Sequence, residues 1–202
     1  MRFILGLVVW MSAAQADPVQ DVANAAAAAF GQMPPVVRVD QIAGRCGADE
    51  TVNSAVAYCT TRNEIMVAEA VLDRPEAAYL VAHAYGHAVQ VRHGVADFAL
   101  SQIRARRSEE AMLRGLVEQQ VDCIAGFLVA RAGQPFSSLT QWFSDEPFAG
   151  IHWGRDPLRG GPKVRIGLAA RNDWFERGQG GDLAACAPGE FTSDLLVEAL
   201  RQ

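Results

Sequence analysis

Arg74-Pro75-Glu76-Ala77-Ala78-Tyr79-Leu80-Val81-Ala82-His83-Ala84-Tyr85-Gly86-His87-Ala88-Val89-Gln90-Val91-Arg92-His93-Gly94 is the stretch on which the fold turns. Pro75 suits the first turn of a helix and Glu76 its positive end, so a helix is expected from about Pro75 to Arg92. His93-Gly94 supplies the stop. Within it His83 and His87 are four residues apart, on one face, so both imidazoles can reach one point in space. That is the geometry of two metal ligands on one helix.

A second helix, expected from Ser108 as cap to about Ala132, repeats the spacing with carboxylates. Glu118 and Asp122 stand among Leu116, Val117, Val121, Ile124 and Phe127. A carboxylate on an apolar face is costly unless something pairs with it. A metal would pair with Glu118, and Asp122, one turn on, could accept from the outer nitrogen of a liganding histidine. Two histidines and a glutamate leave one tetrahedral position open, which is the pattern of a catalytic rather than a structural zinc site. The bland alternative is a surface-facing acidic pair and two satisfied histidines.

Around these two helices the chain reads as α+β: mostly helical, with a small sheet. Asp17–Gln32 is expected as a helix, stopped by Pro34-Pro35. Val36–Val39 suits a short strand, and Ala55–Cys59 and Glu64–Val67 a hairpin turning at Thr60–Asn63. Arg104–Arg107 reads as a solvated turn, and Gln134–Gly161 as loop with Trp142, Phe143, Phe148 and Trp153 as packing anchors. Lys163–Arg177 and Thr192–Arg201 are expected as further helices.

Composition bounds the function. The chain has 202 residues, half of them hydrophobic, enough for one domain with a sizeable core. The net charge of -5 gives a nucleic-acid partner no electrostatic support. Arg2, the apolar run Phe3–Met11 and Ala14-Gln15-Ala16 have the form of a secretory signal peptide over residues 1–16, leaving 17–202 as the mature domain. No other apolar stretch is long enough for a membrane span. The expected location is therefore outside the cytoplasm, periplasmic or extracellular. Four cysteines allow three pairings, and an oxidising compartment permits them. Cys46–Cys59 across the hairpin and Cys123–Cys186, tying a helix to the C-terminal region, are the favoured pairs; four free buried thiols are the alternative.

The segment Val81–Gln90 resembles the H-E-F-G-H-H-V-Q segment of the neutral zinc metallopeptidases of bacteria, a gluzincin-like family, and Glu118–Gly126 resembles its E-x-Q-A-D-C-x-A-G segment. Order and spacing agree. Ala57-Tyr58-Cys59 is similar to the family's Y-C segment, the stretch around Trp174–Gly178 to its last helix, and Cys186 to its closing cysteine. The resemblance implies a zinc-binding fold with His83, His87 and Glu118 as ligands. Three positions depart from it: Ala88 for a second consecutive histidine, Val121 for alanine, and Ala84 where the family carries the glutamate that takes a proton from the zinc-bound water. Losing a general base typically costs about 10²–10⁴ in rate.

The resemblance therefore implies a family member that is catalytically silent or impaired and holds a peptide or envelope protein in the old substrate cleft. An active hydrolase using zinc hydroxide and another carboxylate, with Asp145 and Glu146 the first to mutate, is the competitor. A metal-free structural protein held by its disulfides is the third reading. His93, at a helix end, reads as a cation favoured by the dipole. His152, in a loop, is a weaker candidate for a transition-state donor.

Overall fold

A computed structural model describes residues 17–48, 55–148 and 164–200. The signal-like segment, His152 and Trp153 lie outside the described residues. The architecture is the expected α+β: six helices and a three-stranded mixed sheet among the described residues.

Helix α1 (Pro18–Phe30) starts where Asp17 accepts a hydrogen bond from the Gln20 amide and Pro18 fills the first turn. Val19, Val22, Ala23, Ala26 and Phe30 make its buried stripe. Strands β1 (Val36–Val39), β2 (Val56–Cys59) and β3 (Glu64–Ala68) follow, with β3 central, parallel to β1 and antiparallel to β2. Because side chains alternate across a strand, Ile65 and Val67 pack on the helices, while Met66 faces a small cluster with Val39, Ile42 and Cys59. The Cys46–Cys59 disulfide closes that outer cluster. Asn63, at φ +53, makes the hairpin turn, a conformation that asparagine tolerates.

Helix α2 (Ala77–Arg92) runs through the centre, buried almost all round, packed on α1, α4 and the sheet. After Gly94, α3 (Val95–Ala105) leads to a 3-10 turn, Arg107–Glu109, and then to the long α4 (Glu110–Arg131). Helix α5 (Leu168–Gln179) lies along α4, and a short α6 (Asp194–Ala199) ends the described chain. A Cβ on Gly86 of α2 would stand 2.9 Å from the Val121 carbonyl oxygen of α4. One on Gly126 of α4 would stand 2.0 Å from the Phe175 carbonyl, and one on Gly178 of α5 1.9 Å from the Cys123 carbonyl. These glycines let α2, α4 and α5 approach backbone to backbone, and the Cys123–Cys186 disulfide ties α4 to the segment after α5.

Three local expectations differ from what is found. The stretch 95–105 is helical, so Arg104 lies in a last helical turn and not in a solvated loop. Arg106 is held by Glu109 at 3.1 Å and Glu190 at 2.6 Å. Ser108 does not cap α4: it sits within the 3-10 turn, and Arg114 reaches back to Glu110 across the first turn instead. Helix α5 begins at Leu168 and not at Lys163, because Gly167 adopts φ +83 and a right-handed helix cannot pass through that conformation.

Candidate metal centre

The two i, i+4 pairs meet where α2 crosses α4. His83 Nε2 lies 3.7 Å from Glu118 Oε2, and His87 Nε2 lies 3.6 Å from Glu118 Oε1. The ligating atoms of His83, His87 and Glu118 all fall within 4.8 Å of one another. The imidazoles stand nearly perpendicular, 81° apart with centroids 5.0 Å apart. Asp122 is fully buried behind them and its Oδ1 accepts from His83 Nδ1 at 2.9 Å. That bond fixes the tautomer, so the Nε2 lone pair is turned toward Glu118. Phe148 stacks on the His83 ring with centroids 3.8 Å apart, and His87 keeps a fifth of its side-chain surface open to solvent.

The surroundings contain residues that sequence reasoning did not single out. Tyr79 donates its hydroxyl to Asp122 Oδ1 at 2.9 Å. Arg171, on α5, is completely buried; its Nη1 donates to Glu118 Oε2 at 3.0 Å and Asp122 Oδ2 at 2.8 Å. Its Nε donates to Glu146 Oε1 at 2.9 Å, an oxygen that also accepts from the Ile166 amide. Glu146 is thus engaged as an anchor, at odds with its expectation as a substitute base. The signal for Arg171 was present in the apolar setting of Glu118 and Asp122, which demanded a cation, but nothing local indicated an arginine 49 residues away.

Electrostatics favour a cation here. Burial lowers the His83 pKa well below 6.5 against the opposing pull of Glu118, and burial lowers His87 as well. Both imidazoles are therefore neutral ligands at neutral pH. Burial raises the Asp122 carboxyl, with Arg171 and Tyr79 pulling it back down. Burial opposes the Arg171 charge, but Asp122 and Glu118 outweigh it and keep the guanidinium protonated. Among the described residues, one guanidinium is shared by three carboxylates, Glu118, Asp122 and Glu146. At 3.6–3.7 Å the Glu118 oxygens are also too far from the Nε2 atoms for good hydrogen bonds. Two imidazole nitrogens and one carboxylate oxygen within 4.8 Å of one another fit a divalent ion of the zinc type.

The other candidates lie elsewhere. Tyr85 donates to the Pro34 carbonyl at 2.8 Å, so its hydroxyl is turned away from the cluster, and burial pushes its pKa up to about 12. His93 packs against Phe30, and burial, joined by the Arg92 charge, lowers its pKa. His93 stands at the C-terminal end of α2 as expected, but desolvation and the Arg92 charge oppose its protonation there.

In a mostly helical domain, two histidines and a glutamate thus converge from crossed helices into a cluster that could hold one metal ion. The family model described as "Putative neutral zinc metallopeptidase" matches residues 42–150, more than half of the chain, and the chain belongs to that family. The match takes in His83, His87, Glu118 and Asp122; α5 with Arg171 lies beyond it. No curated protein and no solved structure matches. No helix among the described residues is long and apolar enough to cross a membrane.

Proposed function

We propose that this chain is an exported zinc-binding member of the neutral zinc metallopeptidase family whose peptidase chemistry is silenced or strongly impaired, and which holds a peptide or envelope protein at the former substrate cleft. The observation that carries the reading is the pairing of a complete ligand set, His83, His87 and Glu118 with Asp122 behind, with Ala84 next to His83. His83 and His87 bind through Nε2, Glu118 through its carboxylate, and Asp122 keeps the His83 proton on Nδ1. Bound zinc supplies a polarised water of lowered pKa. Peptide cleavage further needs a group that takes the proton from that water and hands it to the leaving amine. Ala84 has no such group, and Glu146, in the loop after α4, is committed to Arg171 and the Ile166 amide. The signal-like residues 1–16 and the two disulfides support export to an oxidising compartment.

The test joins metal content to turnover of a quenched peptide by wild type, Ala84→Glu, and Ala84→Glu with His87→Ala. The expected result is about one zinc per chain, no turnover by wild type, partial turnover by Ala84→Glu and none by the double variant. Wild-type turnover abolished by chelator and by His87→Ala refutes the silent reading.

A further inference from the structure

Glu118 is held from two sides. Its Oε1 lies 3.6 Å from His87 Nε2, whereas its Oε2, 3.7 Å from His83 Nε2, already accepts from Arg171 Nη1 at 3.0 Å. The same Nη1 bonds Asp122 Oδ2, and Asp122 Oδ1 holds His83. One guanidinium nitrogen therefore locks a ligand carboxylate to the carboxylate that orients a ligand imidazole. Arg171 is itself immobilised: it has no exposed surface, Glu146 grips its Nε, and the ring of Phe148 lies 5.6 Å from its Cζ. A lysine ammonium, as a point donor, cannot reproduce this fork.

We propose that Arg171 is the positioning residue of the metal centre: by occupying Glu118 Oε2 and tying it to Asp122, it leaves Oε1 as the single carboxylate oxygen offered to the metal and so keeps the fourth coordination position open. This rests on the metal-binding reading above. Coulomb repulsion alone works the other way, since a guanidinium beside a divalent ion lowers its affinity. The two effects thus predict opposite signs when the arginine is removed.

The experiment uses the full mature chain with both disulfides intact. Zinc affinity is measured by chelator competition, and the visible absorption of the cobalt(II)-substituted protein reports coordination number. Wild type is expected to bind zinc and to give the intense absorption of four-coordinate cobalt. Arg171→Met is expected to weaken zinc binding about 10- to 100-fold, the usual effect of removing an outer partner. Its cobalt bands are expected to weaken as Glu118 becomes bidentate and the metal five-coordinate. Arg171→Lys should fall between the two. A folded Arg171→Met with unchanged or tighter zinc binding and an unchanged cobalt spectrum overturns the proposal while leaving the metal centre intact. If Arg171→Met does not fold, the same two readouts on Arg171→Lys decide, and unchanged values overturn it. If wild type binds neither zinc nor cobalt, the metal-binding reading fails and this proposal falls with it.

Discussion

Gly178→Ala probes the contact that brings Arg171 to the metal centre. The added Cβ would sit 1.9 Å from the Cys123 carbonyl oxygen, with the Phe127 amide nitrogen 2.8 Å away. Ordinary contact begins near 3.4 Å, so α5 must retreat from α4 by about 1.5 Å at this point. The obstacle is backbone, and it is held in place by the Cys123–Cys186 disulfide, so rotamer changes cannot relieve it. Overpacking of this kind costs about 3 kcal/mol or more, against which alanine's better helix propensity returns about 1 kcal/mol. A net loss of about 2 kcal/mol lowers the Tm of a domain of this size by about 4–8 °C. Arg171 lies seven residues earlier on the same face of α5, so its bonds of 2.8–3.0 Å to Asp122 and Glu118 should lengthen and zinc affinity should fall in parallel. The assays are thermal unfolding under non-reducing conditions and chelator competition, with Gly115→Ala as the contrast. There the new Cβ meets the Ile166 side chain at 3.3 Å, a side-chain end that needs to give by only about 0.1 Å, so Tm should change far less. A Gly178→Ala protein that melts with wild type refutes the close-approach argument.

Three further outcomes are expected. The metal-free protein should keep constant stability above about pH 6.5 and lose it as pH falls below, because unfolded histidines take protons there that buried His83 and partly buried His87 and His93 refuse; Tm of chelated protein across pH 8 to 5.5 measures this, and a rise on acidification contradicts it. Peptide mapping without reductant should return Cys46–Cys59 and Cys123–Cys186, and by loop length (separations of 13 and 63) removing the second should cost more, about 4 against about 3 kcal/mol; a Cys46–Cys123 peptide overturns the pairing. Asp122→Asn should weaken zinc binding about 10- to 100-fold by loosening the His83 tautomer and the Arg171 anchor together, read by the same competition; unchanged affinity would remove Asp122 from the site.

The ligand pairs were legible because helical periodicity is local: His83 with His87 and Glu118 with Asp122 follow from spacing alone, and the hairpin at Thr60–Asn63 from its flanking strand patterns. Helix α3 was missed, since its stripe of Val95, Ala99 and Ile103 is short and opens after a glycine in the left-handed conformation that reads as a stop. The start of α5 was misread because the positive φ of Gly167 is a backbone state, not a composition. Arg171 escaped for a deeper reason. Charge in a helix normally means a solvated face, and only the crossing of α4 and α5 at Gly126 and Gly178 buries this one among Glu118, Asp122 and Glu146. The amino-acid sequence by itself determined which side chains could share a face; the tertiary structure decided which faces meet, because partners tens of residues apart are chosen by helix packing and not by spacing.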